Sequence, residues 1–248
     1  MLANLKVWLD HFEYHAQHPR RLPEAISDCL SAEERKLIAR SIATFQLGEQ
    51  SAGTHFLAAA YRFAHQHDAA SVARATELLI REEQHHARLL GRFMEEHAIN
   101  TRSHDWTDWI FRRLRRLAGF ELYLCVLLTA ELIGTVYYRS LEAATRCQRL
   151  RLLCRVLVAD ELAHIGFESD LLLAMRARHS MAVRVLLERL HEALFLGTAI
   201  VVWTTHREVL SRGGYGVFSF LKTCRAQFSF YLRTALPSGD RADAAPRA

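Results

Sequence analysis

Residues 81–90, REEQHHARLL, place two glutamates and two histidines side by side in a stretch that otherwise has the spacing of an amphipathic helix. A helix turns about 100° per residue, so it sorts these four side chains onto different faces. Arg74, Glu77, Arg81, Arg88, Arg92 and Glu95 fall together on one side, and Val72, Leu79, Glu83, His86, Leu90 and Phe93 on the other. Glu83 and His86 are therefore expected to point into a core, Glu82 to lie at its edge, and His85 to turn toward solvent or a neighbouring helix. Residues three apart sit on adjacent turns of one face, so Glu-x-x-His can offer a carboxylate oxygen and an imidazole nitrogen to one metal ion.

The rest of the chain extends the helical reading. Half of its 248 residues are hydrophobic and 24% are charged, which suits one domain with a sizeable core. Four prolines and eleven glycines leave few breaks in windows rich in Ala, Leu, Arg and Glu. The expected fold is all-α. Residues 1–30 read as an N-terminal helical appendage broken near Pro19 and Pro23, 31–235 as the bundle, and 236–248 as a disordered tail. Ser31 and Glu34 make a capping-box start to a helix running to about residue 64, and a second runs to about 97. WTDWIFRRLRR (106–116) and the apolar run to 144 follow, then helices at about 148–178, 181–212 (stopped at Gly213 and Gly214) and 217–234.

Residues 117–138 are long and apolar enough to span a bilayer. Glu121 and Glu131 inside that run favour instead a central bundle helix, which is also apolar all round. The N-terminus lacks the basic-then-apolar order of a secretory signal, and five cysteines without a CxxC pair fit reduced thiols. A cytoplasmic location is expected, with membrane association as the other reading.

Chance supplies about one Glu-x-x-His pair in a chain of this composition, so a single match carries little weight. Glu82/His85, Glu83/His86, Glu161/His164 and Glu188/His191 all match. In the helix near 148–178, Leu150, Leu157, Glu161, His164, Glu168 and Leu171 share a face while Arg151 and Arg155 point away. Earlier, Ile38, Phe45, Phe56 and Phe63 form an apolar stripe with Glu49 in its middle, where a carboxylate is costly unless paired or metal-bound. Level is a second criterion. In an antiparallel hairpin two residues share a height when the turn lies midway between them; the midpoint of Glu49 and Glu83 is Gln66, and that of Glu131 and Glu161 is Arg146. Both midpoints fall between helical patterns. Glu188/His191 has no such partners and reads as a solvated or structural pair.

Glu49, EEQHH at 82–86, Glu131 and DELAH at 160–164 resemble the ligand set of the ferritin-like di-iron carboxylate proteins, the superfamily of rubrerythrins, ribonucleotide reductase small subunits and di-iron oxygenases. The resemblance covers about 31–178 and implies a ferritin-like four-helix bundle with additional flanking helices. It implies two iron ions, or a manganese/iron pair, held by Glu49, Glu83, His86, Glu131, Glu161 and His164, which would also be the catalytic set. Asp160 would hydrogen-bond an imidazole of the other half. The doubled EEQHH leaves Glu82 and His85 as the other choice in that helix. Glu168, one turn past His164, is an extra ligand, a proton relay or a partner for an arginine.

The expected function is a di-iron oxidoreductase that activates dioxygen to oxidise or oxygenate a small organic substrate, supplied by an electron donor and acting as a homodimer. Phe45, Phe56, Leu79 and Phe93 would keep water away, and the helices carrying Glu49 and Glu131 would line substrate access. A ferroxidase or peroxide-scavenging iron protein is the alternative. That role calls for a polar, acidic route, whereas organic oxidation calls for a blind pocket. A metal-free helical interaction protein with salt-bridged acids is the third reading. The arginines at 112, 113, 115 and 116 form a solvated face, or dock an acidic carrier protein or a membrane surface. No nucleic-acid module accompanies them. Tyr123, Tyr137 and Tyr138 read as core packing rather than radical sites, and His11, His15, His18, His65 and His67 as exposed.

Overall fold

The computed structural model describes residues 5–22, 30–50, 53–105, 113 and 119–233, and these are helical throughout, without strands. The helices are α1 (Lys6–Gln17), α2 (Ala32–Glu49), α3 (Thr54–His67), α4 (Ala70–Glu96), α5 (Phe120–Ala144), α6 (Gln148–Arg176), α7 (Met181–Arg212) and α8 (Val217–Arg233). They pack as a bundle in which α5 lies against α3, α6, α7 and α8, and α4 against α1, α2, α3 and α6. The expected tail, the break near Pro23 and the arginine-rich segment other than Arg113 lie outside the described residues.

α2 starts with the capping box that Ser31 and Glu34 announce: the Glu34 N–H donates to Ser31 Oγ, and the Ser31 N–H to Glu34 Oε2. The helix does not run to residue 64, however. It stops at Glu49, and α3 begins after Gly53, whose φ of +64° is a left-handed conformation that a side chain resists. A Cβ at Gly53 would lie 2.7 Å from Ile80 Cγ2 on α4, so the glycine also permits close approach there. The break thus lies directly after a predicted ligand.

The turn at 145–147 carries no Gly or Pro, and it is built from side-chain hydrogen bonds instead. Thr145 Oγ1 accepts from the Cys147 N–H, while Glu34 Oε1 accepts from the Arg146 N–H at 2.6 Å and from Thr145 Oγ1. One glutamate therefore caps α2 and ties down the α5–α6 corner. Gln66, the expected midpoint of the other hairpin, lies in the last turn of α3, just before the left-handed Asp68.

α5 is long and apolar enough to cross a membrane, but 78% of that apolar window is buried inside the protein. α1, expected as an appendage, contributes Leu5, Trp8 and Phe12 to the core. The Trp8 ring presses on Gly166 of α6, and its Nε1–H donates to Asp170 Oδ2 at 2.9 Å. A methyl group at position 166 would occupy the space of that indole. Gly166→Ala should therefore unseat α1 and cost about 1–3 kcal/mol of stability in denaturant unfolding. A loss below about 0.5 kcal/mol, the usual range of a surface change, would mean that α1 is not docked there.

Candidate metal centre

Four helices deliver the predicted residues to one depth of the core. Glu49 comes from the last turn of α2, Glu83 and His86 from α4, Glu131 from α5, and Glu161 and His164 from α6. Glu131, Glu161, His86 and His164 are buried, and Glu83 is mostly so. Two four-residue groups result, each with its ligand atoms all within 4.8 Å of one another: Glu49, Glu83, His86 and Glu161, then Glu83, Glu131, Glu161 and His164. Glu83 and Glu161 belong to both. Either group could hold a metal ion.

The hydrogen bonding inside the cluster is incomplete. His164 Nδ1 lies 3.0 Å from Glu83 Oε1 and 3.6 Å from Glu161 Oε2, and His86 Nδ1 lies 3.3 Å from Glu161 Oε1 and 3.7 Å from Glu83 Oε1. Yet both Nδ1 atoms, Glu83 Oε1, Glu161 Oε2 and both Glu131 oxygens are buried without an aligned hydrogen-bond partner among the described residues. Buried polar atoms are rarely left this way, because each unmade hydrogen bond costs about 1–3 kcal/mol. Here the orphaned atoms converge. Among the described residues no arginine or lysine pairs with Glu49, Glu83, Glu131 or Glu161. The cluster thus offers carboxylate oxygens and imidazole nitrogens, the donor types that a divalent cation takes.

The outer ring nitrogens are held reciprocally. His86 Nε2 faces Asp160 Oδ2 at 3.2 Å, and His164 Nε2 faces Glu82 Oε2 at 2.8 Å. Each acid immediately precedes a cluster glutamate and serves the histidine of the opposite helix. This places Asp160 where the sequence suggested and gives Glu82, expected only at the core edge, a defined role. His85 stands outside both groups, its Nε2 buried without a partner among the described residues. Such partners fix the tautomer and orientation of a ligating imidazole. Asp160→Asn or Glu82→Gln should weaken metal binding about 10–100-fold in chelator-competition titrations, while an unchanged affinity would assign the pair a packing role only.

Two further contacts were not legible in the sequence. Tyr138, read as core packing, donates to Glu49 Oε1 at 2.6 Å and fixes one carboxylate at the end of α2. α1 brings His15 to 3.7 Å from Glu82 and 3.8 Å from Asp160, with His11 stacked on it at 4.2 Å and Arg20 ion-paired to Asp160. His11 and His15, expected to be exposed, are thus part of the layer outside the cluster. Of the other early histidines, His18 and His65 are exposed. The signal for α1 was present, since Leu5, Trp8 and Phe12 form an apolar stripe at helical spacing.

Burial and mutual repulsion raise the carboxyls of Glu49 and Glu131 well above the usual range, and burial does the same to Glu168, which lies beside Glu131. Glu168 thus lies beside an acid, both of its own oxygens also without an aligned partner, and among the described residues no arginine pairs with it. Burial alone would lower the imidazoles of His86 and His164, but the surrounding carboxylates raise both well above their ordinary value. Burial would raise Glu161 too, but the two histidines hold it down at about 2. Without metal the pocket is thus a store of protons, which cations would displace.

Beside the cluster lies a cavity of about 170 Å³ lined by Glu49, Glu83, Glu131 and Glu161 at one side and otherwise mainly by apolar groups. Phe45, Phe56 and Leu79 line it as expected, whereas Phe93 packs in the core against His97. α2, α3 and α5 contribute as expected, but α7, to which no role in access was given, supplies Thr198, Val201, Val202, Thr205 and His206. Glu188 and His191, read as a solvated or structural pair, instead have separate partners: Glu188 is exposed beside Arg184, and His191 is buried between Thr129 and Arg176. The four described cysteines are buried free thiols. The chain matches no family model, no curated protein and no solved structure.

Proposed function

We propose that the chain is a ferritin-like four-helix-bundle protein with a binuclear iron centre, and that it uses dioxygen to oxidise or oxygenate a small organic substrate. The observation that carries this reading is the pair of overlapping donor groups sharing Glu83 and Glu161, set directly against a mainly apolar cavity. Glu49 and His86 would complete one metal position, and Glu131 and His164 the other. Iron bound there would supply the electrons that reduce dioxygen, and an external donor would restore them.

The protein's own groups have separable tasks in this reading. Asp160 and Glu82 keep the two imidazoles aimed inward, and Tyr138 holds the Glu49 carboxylate. Phe45, Phe56 and Leu79 exclude water from the cavity side. Glu168, fully buried beside Glu131, can retain a proton next to the reacting region. The apolar lining supports an organic substrate over iron as cargo, because a cation route would need carboxylates or carbonyls along its length.

The test is anaerobic ferrous loading followed by oxygen, recording oxygen consumption and the optical change. Wild type should bind two irons per chain and consume oxygen, and Glu161→Ala should do neither. Iron accumulating far beyond two per chain would instead support storage, and no uptake at all would support a metal-free interaction protein.

A further inference from the structure

The cavity's walls restrict what can occupy it. Among the described residues no lysine or arginine lines it, and four carboxylates do, so an anionic ligand would enter against like charge. Its volume of about 170 Å³ is close to that of engineered apolar cavities, about 150 Å³, that take up benzene. A single ring fits inside it, and a longer chain would have to project through the side where Gly48 and Thr205 are exposed.

Most polar side chains on these walls are already committed. Thr44, Thr198 and Thr205 donate to carbonyls of their own helices, and Tyr138 donates to Glu49. His206 differs. It lines the cavity, is only 6% exposed, and sits where α7 leaves helical geometry, at φ −119° and ψ 15°. The hydroxyls of Thr204 and Thr205 take up the Val201 carbonyl just before that break, a contact that bends helices. His206 Nδ1 lies 2.8 Å from Ser41 Oγ, which lies 2.8 Å from the Tyr137 hydroxyl. Ser41 thus engages the Nδ1 side of the ring, and Nε2 is its other hydrogen-bonding atom, with Asp105 and Arg40 the charged groups that act on the ring. Burial lowers the imidazole to about 4, so near neutrality the ring is uncharged.

Adjacent tyrosines of α5 therefore serve the two sides of one cavity: Tyr138 holds Glu49 at the cluster, and Tyr137, through Ser41, steadies His206. We infer that the cavity takes an uncharged, ring-sized organic molecule bearing one hydroxyl, anchored at that hydroxyl by His206 so that its ring carbons face the carboxylate cluster. A hydroxyl both donates and accepts, so it satisfies Nε2 in either tautomer of the imidazole. This identification of the substrate class rests on the cavity being the substrate chamber of the proposed oxidation.

The test is equilibrium binding to the purified full chain, read by calorimetry and ligand-observed NMR with phenol, benzene, benzoate and 1-decanol as probes. Phenol should bind one per chain, about 3–10-fold more tightly than benzene, the increment of one net hydrogen bond. Benzoate and decanol should not bind. His206→Leu should bring phenol down to the affinity of benzene. A Cβ at Gly134, which also lines the cavity, would meet nothing within 4 Å, so Gly134→Leu should fill the space and abolish binding of both rings without unfolding the bundle. A phenol preference that survives His206→Leu, ring binding that survives Gly134→Leu, or benzoate binding as tightly as phenol would overturn the inference. Metal content measured on the same samples separates the two readings. Two metals with no phenol preference overturns the anchor alone, whereas a phenol preference without metal overturns the proposed oxidation alone.

Discussion

Glu161→Ala should hold less than one iron per chain after anaerobic loading and desalting, whereas Glu49→Ala and Glu131→Ala should each hold about one. The difference follows from membership. Glu161 contributes to both donor groups, but Glu49 belongs only to the group with His86, and Glu131 only to the group with His164. Removing a shared carboxylate deprives both positions of a donor and of one negative charge, and the remaining buried histidines then face excess positive charge. Removing an unshared one leaves the other group whole. Glu83→Ala should behave like Glu161→Ala for the same reason. Circular dichroism provides the control for folding, since all four positions lie inside helices whose other core contacts are untouched. Equal losses in all four variants would contradict the shared arrangement, and so would undiminished binding in Glu161→Ala.

Manganese(II), which does not react with dioxygen, should raise the melting temperature by about 10–20 °C near pH 7.5 and by much less near pH 5.5. A cation at about 100 times its dissociation constant contributes about 2.7 kcal/mol per site, and for a chain of this length each kcal/mol is worth about 2–4 °C. The pH dependence has its sign from the metal-free pocket. Glu49, Glu131 and Glu168 have carboxyls raised in the folded state, so the stability they contribute is full below the ordinary carboxylate value and is lost as pH rises through the raised one. His86 and His164 are also raised, and they act in the same direction as pH climbs past the ordinary imidazole value. Asp160 and Glu161, held at about 2, withdraw their contribution only in strong acid, below this window. These pocket groups lower the melting temperature of the metal-free protein between pH 5.5 and pH 7.5, against His11, His85, His191 and His206, whose imidazoles burial lowers and which stabilise the fold as pH rises to the ordinary imidazole value. Cations reverse the trend, because the protons they must displace are fewer at high pH. A manganese effect that shrinks as pH rises would contradict this picture of the pocket.

How much of this was legible beforehand depends on the physics of each feature. α4, α6, α7 and α8 follow from apolar spacing because each is a long, nearly uninterrupted pattern, and their observed bounds lie within about two residues of expectation. The inward set of six was legible for the same reason, since helix geometry fixes which face Glu83, His86, Glu161 and His164 occupy. The break between Glu49 and Thr54 was not, because a glycine inside a helical pattern is tolerated as often as it ends one. What decided Gly53 was its contact with Ile80, a tertiary fact. Glu82 shows a similar limit. Its position at the edge of the α4 face is a local property, but its bond to His164 depends on how α6 is rotated. The α5–α6 turn carried no turn residue, because Glu34, more than a hundred positions earlier, supplies the hydrogen bonds. His206 gave no sign at all. Its importance comes from the bend in α7 and from Ser41 on another helix, neither of which any periodicity encodes.

In the proposed centre, six side chains from four helices would surround two adjacent cations that share Glu83 and Glu161. Anomalous diffraction from crystals of the iron-loaded protein, collected on either side of the iron absorption edge, addresses it most directly. Two peaks per chain should appear inside the bundle, both in contact with Glu83 and Glu161, one also with Glu49 and His86 and the other with Glu131 and His164. A single peak, peaks confined to the surface, or an iron-free core in a protein loaded under anaerobic conditions would contradict it.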